Sequence, residues 1–462
     1  MVVIIGAGPA GSLLASYLAK RGIAVEVYES RGDMRVGEVA RGRSINMALS
    51  DRGIAALREV GMDEYMLNAA IPMLGRMIHT PSGETKMLPY SGRKGEYINS
   101  ISRAGLNAAL MTAAEASGGV NIHFNERCVD IDVATGTVYF ESGRTVKADI
   151  VFAADGAGSG VRQSLERREK GFESHSAFLE HGYKELVIPP AEDGGFLLEK
   201  NALHIWPRHK FMMIALPNLD GSFTCTLFLA QKTPAGSDEP SFEKLTDAAT
   251  LTAFFEEEFA DALPLMPTLA EDFFENPVGG LGTLRCAPWN TRERVLLLGD
   301  AAHAMVPFYG QGMNCAFEDV SVLAASIDEH YRPAETRRSR EEGDRPETRI
   351  DWRAVFEKYG SLRKPNTDAI QEMAIENFYE MRDKVADPIF QRKRELETRL
   401  EQTYDDYFSK YSMVTFREDL PYAEAKRLGN AQDELLMSLC SSVPNVADLD
   451  IERVIADIRG AR

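Results

Sequence analysis

Val2-Val3-Ile4-Ile5-Gly6-Ala7-Gly8-Pro9-Ala10-Gly11 opens the chain and decides how it folds. Four β-branched residues read as a buried strand, and glycines at Gly-x-Gly-x-x-Gly spacing lead it into a helix with the apolar stripe Leu13, Leu14, Tyr17 and Leu18. A second strand follows over Ala24 to Glu29, so residues 1–29 form one strand–helix–strand unit ending on an acid. The first glycine permits the tight turn, the second lets backbone N–H groups approach a pyrophosphate, and the third allows close helix–strand packing. The helix N-terminus favours the anion, and Glu29 is placed to accept from a ribose hydroxyl. A lone glycine fingerprint is weak, because such loops also make ordinary turns. Here strand, helix and acid all stand where dinucleotide binding needs them, which makes Gly6, Gly8, Ala10, Gly11, Glu29 and the adjacent Arg31 candidate cofactor contacts.

Two further segments extend this reading. Asp149 to Arg162, DIVFAADGAGSGVR, is a buried strand ending in Asp155-Gly156, a common turn on its own but similar to the Asp-Gly fingerprint of flavin hydroxylases. Arg294 to His303, RVLLLGDAAH, followed by Pro307 to Asp319, PFYGQGMNCAFED, is the strongest of the three. Its strand delivers Asp300 to a polar, sugar-like chain such as ribitol, and Gly310 and Gly312 open a helix whose positive end, with Met313 and Asn314, can face a flavin pyrimidine ring. A helix dipole there stabilises a reduced, anionic flavin by roughly 0.3–2 kcal/mol. His303 invites an acid/base role, yet a histidine after Gly-Asp equally holds the loop by hydrogen bonds, and the structural role is the favoured one. Met313, Ala316, Phe317, Val320, Leu323 and Ile327 form one apolar stripe that reads as core.

The rest of the chain bounds the function. At 462 residues, 44% hydrophobic and 26% charged, it is long enough for two domains or one large split domain. A net charge of −18 argues against a nucleic-acid partner. Cys128, Cys225, Cys286, Cys315 and Cys440 follow no zinc or disulfide spacing and read as reduced thiols, so no metal is expected. No signal peptide precedes the first strand and no window is apolar enough to span a membrane, which points to the cytoplasm. Short strands are expected at Val120–Phe124, Thr137–Phe140 and Ala148–Ala153, and a β-rich run from Ala202 to Ala230 turns at Asn218–Gly221. Arg332 to Arg349 is a charged, proline-containing loop. Beyond it the pattern is helical: Trp352 to Tyr359, a break at Pro365, then amphipathic stretches through Met381 and from Pro388 to Tyr407.

With its three signatures in order, the chain resembles the flavoprotein aromatic hydroxylase family over nearly its whole length. Finer runs are similar to the branch of that family acting on L-kynurenine: Ala40 to Leu49 (ARGRSINMAL), Gly75 to His79, His181 to Leu186, Asn201 to Pro207 (NALHIWP), Ala215 to Asp220, Val306 to Cys315 and Tyr411 to Phe416. The resemblance implies an FAD enzyme that uses NADPH and O2 to hydroxylate L-kynurenine at ring position 3 through a flavin hydroperoxide, with no catalytic protein residue. It implies an α/β (α+β) fold: a discontinuous FAD-binding domain (1–70, 98–175, 280–330), a β-sheet substrate domain (71–97, 176–279) and a C-terminal helical region (331–462), as monomer or homodimer. An arginine on a strand ordinarily faces solvent, but Arg76 matches the family's carboxylate-binding arginine, with Tyr90 beside it. Asn377 and Tyr411 match its other polar substrate contacts, and Ile214, Phe228, Pro307 and Phe308 its apolar wall. Arg103 matches an arginine that contacts FAD, where it would otherwise cap the following helix, and Met381 also approaches the flavin. Tyr309 stands where bacterial relatives are expected to carry histidine. The alternatives still open are a related hydroxylase of another aromatic acid, a non-catalytic flavin sensor and a prenyl-reducing flavoprotein.

Overall fold

The computed structural model describes residues 1–36, 46–332, 349–384 and 387–460. The opening unit forms as its sequence requires: strand Val2–Ile5, helix Pro9–Lys20, strand Val25–Tyr28. Around it a six-stranded sheet takes the order Asn290–Thr291, Val295–Leu297, Ile150–Ala153, Val2–Ile5, Val25–Tyr28, Val120–His123. All its pairings are parallel except the short first one. Continuous apolar runs suit such strands, since helices cover both faces; Ile150 to Ala153 and Val295 to Leu298 are buried throughout. The loops carrying the three signatures leave the C-terminal ends of Val2–Ile5, Ile150–Ala153 and Val295–Leu297, three neighbouring strands.

A second sheet of seven strands runs Gly279–Ala287, Glu173–Ile188, Phe223–Ala230, Met212–Pro217, Ala202–Pro207, Gly75–His79, Thr85–Pro89. One face packs on helices Ala248–Glu258 and Leu269–Glu275 around Trp206, Phe255 and Phe259. Its other face meets the C-terminal helices around Phe308, Met373 and Phe378. The run from Ala202 to Ala230 contains two reversals rather than one. The second lies at the expected Asn218–Gly221; the first, at Arg208–Phe211, relies on His209 at φ 58° and lacks the glycine that would have marked it.

The expected break at Pro365 does not occur. One helix runs from Trp352 to Tyr379, 28 residues, straight through the proline. An interior proline costs about 3 kcal/mol, but here Arg363, Thr367, Ile370, Met373 and Ala374 are all buried, and packing on both sides of the defect outweighs it. Near one end, Trp352 and Phe356 meet Phe152 of the parallel sheet edge to face, at 5.8 and 6.0 Å. The stretch expected to reach Tyr407 ends as a helix at Thr403, and helices Lys410–Phe416 and Tyr422–Ser442 follow. Of the expected charged loop, 333–348 lie outside the described residues, as do 40–45 of the run quoted above; Tyr331–Arg332 and Arg349–Ile350 pair as short strands. No helix among the described residues is long and apolar enough to cross a membrane.

Candidate functional site

The glycine loop is built for close approach. Gly6 takes φ +99°, and a Cβ there would overlap the Ala154 carbonyl; a Cβ on Gly11 would overlap the Gly6 carbonyl. Gly8 differs: nothing lies within 4 Å of where its Cβ would be. The loop thus packs tightly on its inner side and leaves room on its outer side, the cradle a pyrophosphate needs. Glu29, 3% exposed, holds the loop from below by accepting from Ala7 N at 2.9 Å, and from Arg31 N and Nε at 3.0 and 2.8 Å. Burial would raise this carboxyl, but Arg31 and the backbone amides hold it below its ordinary value.

Gly299 sits between Ala10 of the first helix and Ala316 of the Gly312–Glu329 helix, so Asp300 emerges between two helix N-termini. Its carboxylate is exposed. The first-turn N–H groups of Gly312, Met313 and Asn314 have no intrahelical acceptor. The Asn314 side chain is already committed, accepting from Ser50 N at 3.0 Å and donating to the Ala48 and Gly310 carbonyls at 2.8 Å, which leaves its backbone N–H for a ligand. Asp155 accepts weakly from Val161 N at 3.3 Å, while its Oδ1 is buried without a partner and burial pushes its carboxyl up. Arg162 ties this segment to the Asp300 turn by donating to the Ala301 carbonyl at 2.9 Å. Ser102, rather than Arg103, caps the helix beginning at Arg103, leaving the arginine exposed. An open cradle, free helix N-termini and an exposed acid between them fit the pyrophosphate, ring and sugar-like chain of FAD.

Below this surface His303 has the structural role. Its Nε2 lies 2.6 Å from Asp319 Oδ2, and Asp319 also accepts from Gly299 N at 3.0 Å and from Arg363 Nε at 2.7 Å. Burial alone would raise the Asp319 carboxyl, yet His303 and Arg363 hold it below the usual range. Arg363 also pairs with Glu318 at 2.8 Å. These groups join the loop and helix of the third signature to the long Trp352 helix. His303, Cys315 and Asp319 approach one another closely enough for a cation, but the Arg363 guanidinium already supplies that charge.

The expected substrate residues converge some way from the glycine loop. Tyr90, Tyr411 and Tyr309 form a stack, with centroids 5.3 and 5.6 Å apart, and the Arg76 guanidinium lies 5.6 Å from the Tyr90 ring and 4.8 Å from the Tyr411 ring. Arg76 Nε and the Tyr90 hydroxyl are buried without hydrogen-bond partners. Burial raises the hydroxyls of all three tyrosines, so each is a neutral donor. Arg76, Tyr309, Asn377 and Tyr411 line one cavity of about 30 Å³. Phe308 connects the apolar wall, 4.9 Å from Phe228 and 4.4 Å from Phe378; Ile214 and Met381 pack in the same cluster, and Pro307 is exposed at its rim. Asn377 Nδ2 donates to the Phe308 carbonyl at 2.7 Å, fastening the long helix to the loop that leads into the Gly312 helix.

The far wall of this cavity went unrecognised in the sequence: Glu376, Glu380, Lys393, Arg394, Glu397, Lys410 and Asp433. Lys393 reaches Asp433 at 2.5 Å and Glu397 at 3.3 Å, Arg394 reaches Glu397 at 2.7 Å, and Lys410 reaches Asp433 at 2.9 Å. A signal for it exists. Lys393 and Glu397 fall on the same helical stripe as Phe390 and Leu400, so their spacing puts charges where an apolar face is required.

A family model described as FAD binding domain matches residues 1–341. The chain is 45% identical to a kynurenine 3-monooxygenase of Myxococcus xanthus (strain DK1622), covering 99% of this chain and 94% of that one. It is 44% identical to that of Stenotrophomonas maltophilia (strain K279a), covering 98% and 95%, and 41% identical to that of Dictyostelium discoideum, covering 99% and 96%. Among solved structures it is similar in fold to 2-methyl-3-hydroxypyridine-5-carboxylic acid oxygenase, with a TM-score of 0.62 and 21% identity over 86% of this chain and 95% of that one. PqsL of Pseudomonas aeruginosa, in complex with 2-aminobenzoylacetate, gives a TM-score of 0.62 and 19% identity over 82% and 98%.

Proposed function

Because the chain belongs to the kynurenine 3-monooxygenase family of FAD-binding proteins, we infer that it hydroxylates L-kynurenine to 3-hydroxykynurenine with FAD, NADPH and O2. The observation that carries the substrate reading is Arg76, a half-buried arginine whose Nε is buried and unpartnered, flanked by the Tyr90 and Tyr411 rings. Such a group recognises a carboxylate. When bound, FAD supplies electron transfer from NADPH and the activation of O2. Gly6, Gly8, Ala10 and Gly11 would hold its pyrophosphate, Glu29 and Asp300 its hydroxyl groups, and the N–H groups of Gly310 to Asn314 its ring, with Arg31, Arg103, Asp155 and Met381 at the margins.

The remaining work falls to the chain's own residues. Arg76 and the Tyr90 hydroxyl take the α-carboxylate, while Asn377, Tyr309 and Tyr411 fix the polar end of the amino acid. Phe228, Phe308, Pro307 and Ile214 form a slot that orients the ring and excludes water. The aniline nitrogen of the substrate itself activates the ortho ring carbon, so no protein general base is assigned. Within this reading the enzyme is cytoplasmic, as monomer or homodimer; the buried free cysteines support a reducing compartment.

Arg76→Ala tests the assignment. A charged hydrogen bond to a buried carboxylate contributes about 1.5–3 kcal/mol, so KM for L-kynurenine should rise roughly tenfold to 150-fold with FAD content unchanged. An unchanged KM sinks the site assignment, and failure to form 3-hydroxykynurenine in air sinks the function.

A further inference from the structure

Behind Arg76, on the opposite face of the seven-stranded sheet, lies a buried hydrogen-bonded chain that the reaction does not use. Side chains alternate along a strand, so Gly75–His79 sends Arg76 and Ile78 to the substrate face and His79 to the other. His79 is 3% exposed; its Nδ1 lies 2.7 Å from Asp261 Oδ2 and its Nε2 lies 2.9 Å from His204 Nδ1. His204 Nε2 lies 2.8 Å from the Glu199 carbonyl. Trp206 stacks on the His79 ring at 4.0 Å and donates its Nε1–H to both Asp261 oxygens, at 3.0 and 2.9 Å. Arg208 donates to the His79 carbonyl at 3.0 Å.

Counting hydrogens settles the charge. A carbonyl cannot donate, so His204 Nε2 carries a hydrogen. Neutral His204 then offers a lone pair at Nδ1, which takes its hydrogen from His79 Nε2, while the Asp261 carboxylate takes the one on His79 Nδ1. With Asp261 ionised, all three contacts are hydrogen bonds only when the two rings together carry one extra proton, balanced by that carboxylate. Burial pushes His204 down to about 4, keeping that ring neutral. Burial would raise Asp261, but hydrogen bonds from His79 and Trp206 hold its carboxyl below the ordinary value. Of the other charged groups here, Arg208 and Glu258 lie 3.7 Å apart and pair with each other, and the Glu199 carboxylate acts on His204.

The position of this chain gives it a task. The strand Gly75–His79 runs parallel to Ala202–Pro207, with Leu203 opposite Arg76 and Ile205 opposite Ile78. Its other neighbour, Thr85–Pro89, is an edge strand exposed along most of its length. The strand bearing Arg76 therefore lies one in from the edge of the sheet, paired on both sides, and the His79–His204 link ties it to its inner neighbour. We propose that His79 is a positioning residue for substrate binding: the Asp261–His79–His204 chain locks the strand in place and so fixes the Arg76 guanidinium. This rests on the reading of Arg76 as the carboxylate anchor.

The test uses the FAD-loaded enzyme at saturating NADPH in air, with L-kynurenine varied. His79→Leu and Asp261→Leu should raise KM on the order of tenfold to a hundredfold, the scale of a small misplacement of a binding group, with FAD content and kcat close to wild type. Asp261→Asn should recover most of that loss. Its amide donates to His79 Nδ1 and still accepts from Trp206, completing the chain with two neutral histidines. An unchanged KM in His79→Leu, equal KM values for Asp261→Asn and Asp261→Leu, or a joint fall of FAD content, kcat and affinity overturns the proposal. Arg76→Ala in parallel separates the two layers. If it too leaves KM unchanged, the anchor reading has failed; if it raises KM while His79→Leu does not, only the positioning role has.

Discussion

Around the parallel sheet, buried acids serve the backbone as well as side chains: Glu29 takes the Ala7 and Arg31 amides beside Arg31 Nε, and Asp319 takes Gly299 N beside His303 and Arg363. Around the cavity beside Arg76, buried acids serve other side chains alone: Glu397 takes Lys393 and Arg394, and Asp433 takes Lys393 and Lys410. The first arrangement fixes a loop whose shape is set by neighbouring residues, so it leaves a short local pattern. The second fixes helices against one another through Asp433, whose partners Lys393 and Lys410 lie on two other helices. A resident cofactor held through its backbone contacts suits the former. In the reading proposed above, an amino acid that enters and leaves as a zwitterion meets the latter, where cations and anions face one cavity together.

The largest expected effect breaks the first region alone. Gly11→Val places side-chain atoms onto the Gly6 carbonyl, where neither backbone segment can give way. Purified protein should lack flavin absorbance; full flavin content would show that the cradle is not the one described. Next, Glu397→Ala takes the acid from half-buried Arg394 and leaves buried Lys393 with Asp433 alone. Stranding a buried charge outright costs about 3–5 kcal/mol; with Asp433 still on Lys393 the cost falls below that range and should appear as faster hydrogen exchange in 388–442 with flavin retained. Flavin loss in this variant would erase the distinction between the two regions.

The smallest effect lies where the regions meet. Burial first, then the Glu418 and Glu96 charges, push the Asp51 carboxyl up to about 6. Its folded form therefore binds a proton more tightly than its unfolded form, near 3.9, so its contribution is full below about pH 4 and is lost as pH rises through 6. Asp51→Asn should raise Tm on the order of 1 °C at pH 8 and leave it unchanged at pH 4. An equal gain at both values would assign the effect to packing.

The same contrast explains what the sequence discloses. Gly6 to Gly11, Asp300 and the Gly312 helix are legible because each role needs a residue type at a fixed offset from a strand end. Arg76, Tyr90, Asn377 and Tyr411 are spread over more than three hundred residues, and only resemblance brings them together before the fold does. Lys393 and Glu397 have the i,i+4 spacing of an exposed pair, which hides their burial unless the apolar residues of the same stripe are counted. Pro365 misleads in the other direction, since a local rule about one missing hydrogen bond says nothing of the packing on either side. His79 and His204 stand out only as part of similar runs; their proton sharing depends on a strand pairing and on Asp261, which lies beyond both.

The unbroken Trp352–Tyr379 helix has the dimensions of a lever. At 1.5 Å per residue its 28 residues span on the order of 40 Å. It is gripped by Phe152 near one end and by the Phe308 carbonyl near the other, with the Arg363–Asp319 pair between. About that fulcrum, a tilt of about 5° would carry Asn377, roughly 21 Å further along the axis, through about 2 Å. Pro365, two residues past the pivot, removes one rung of the hydrogen-bond ladder at the point where such an arm bends most easily.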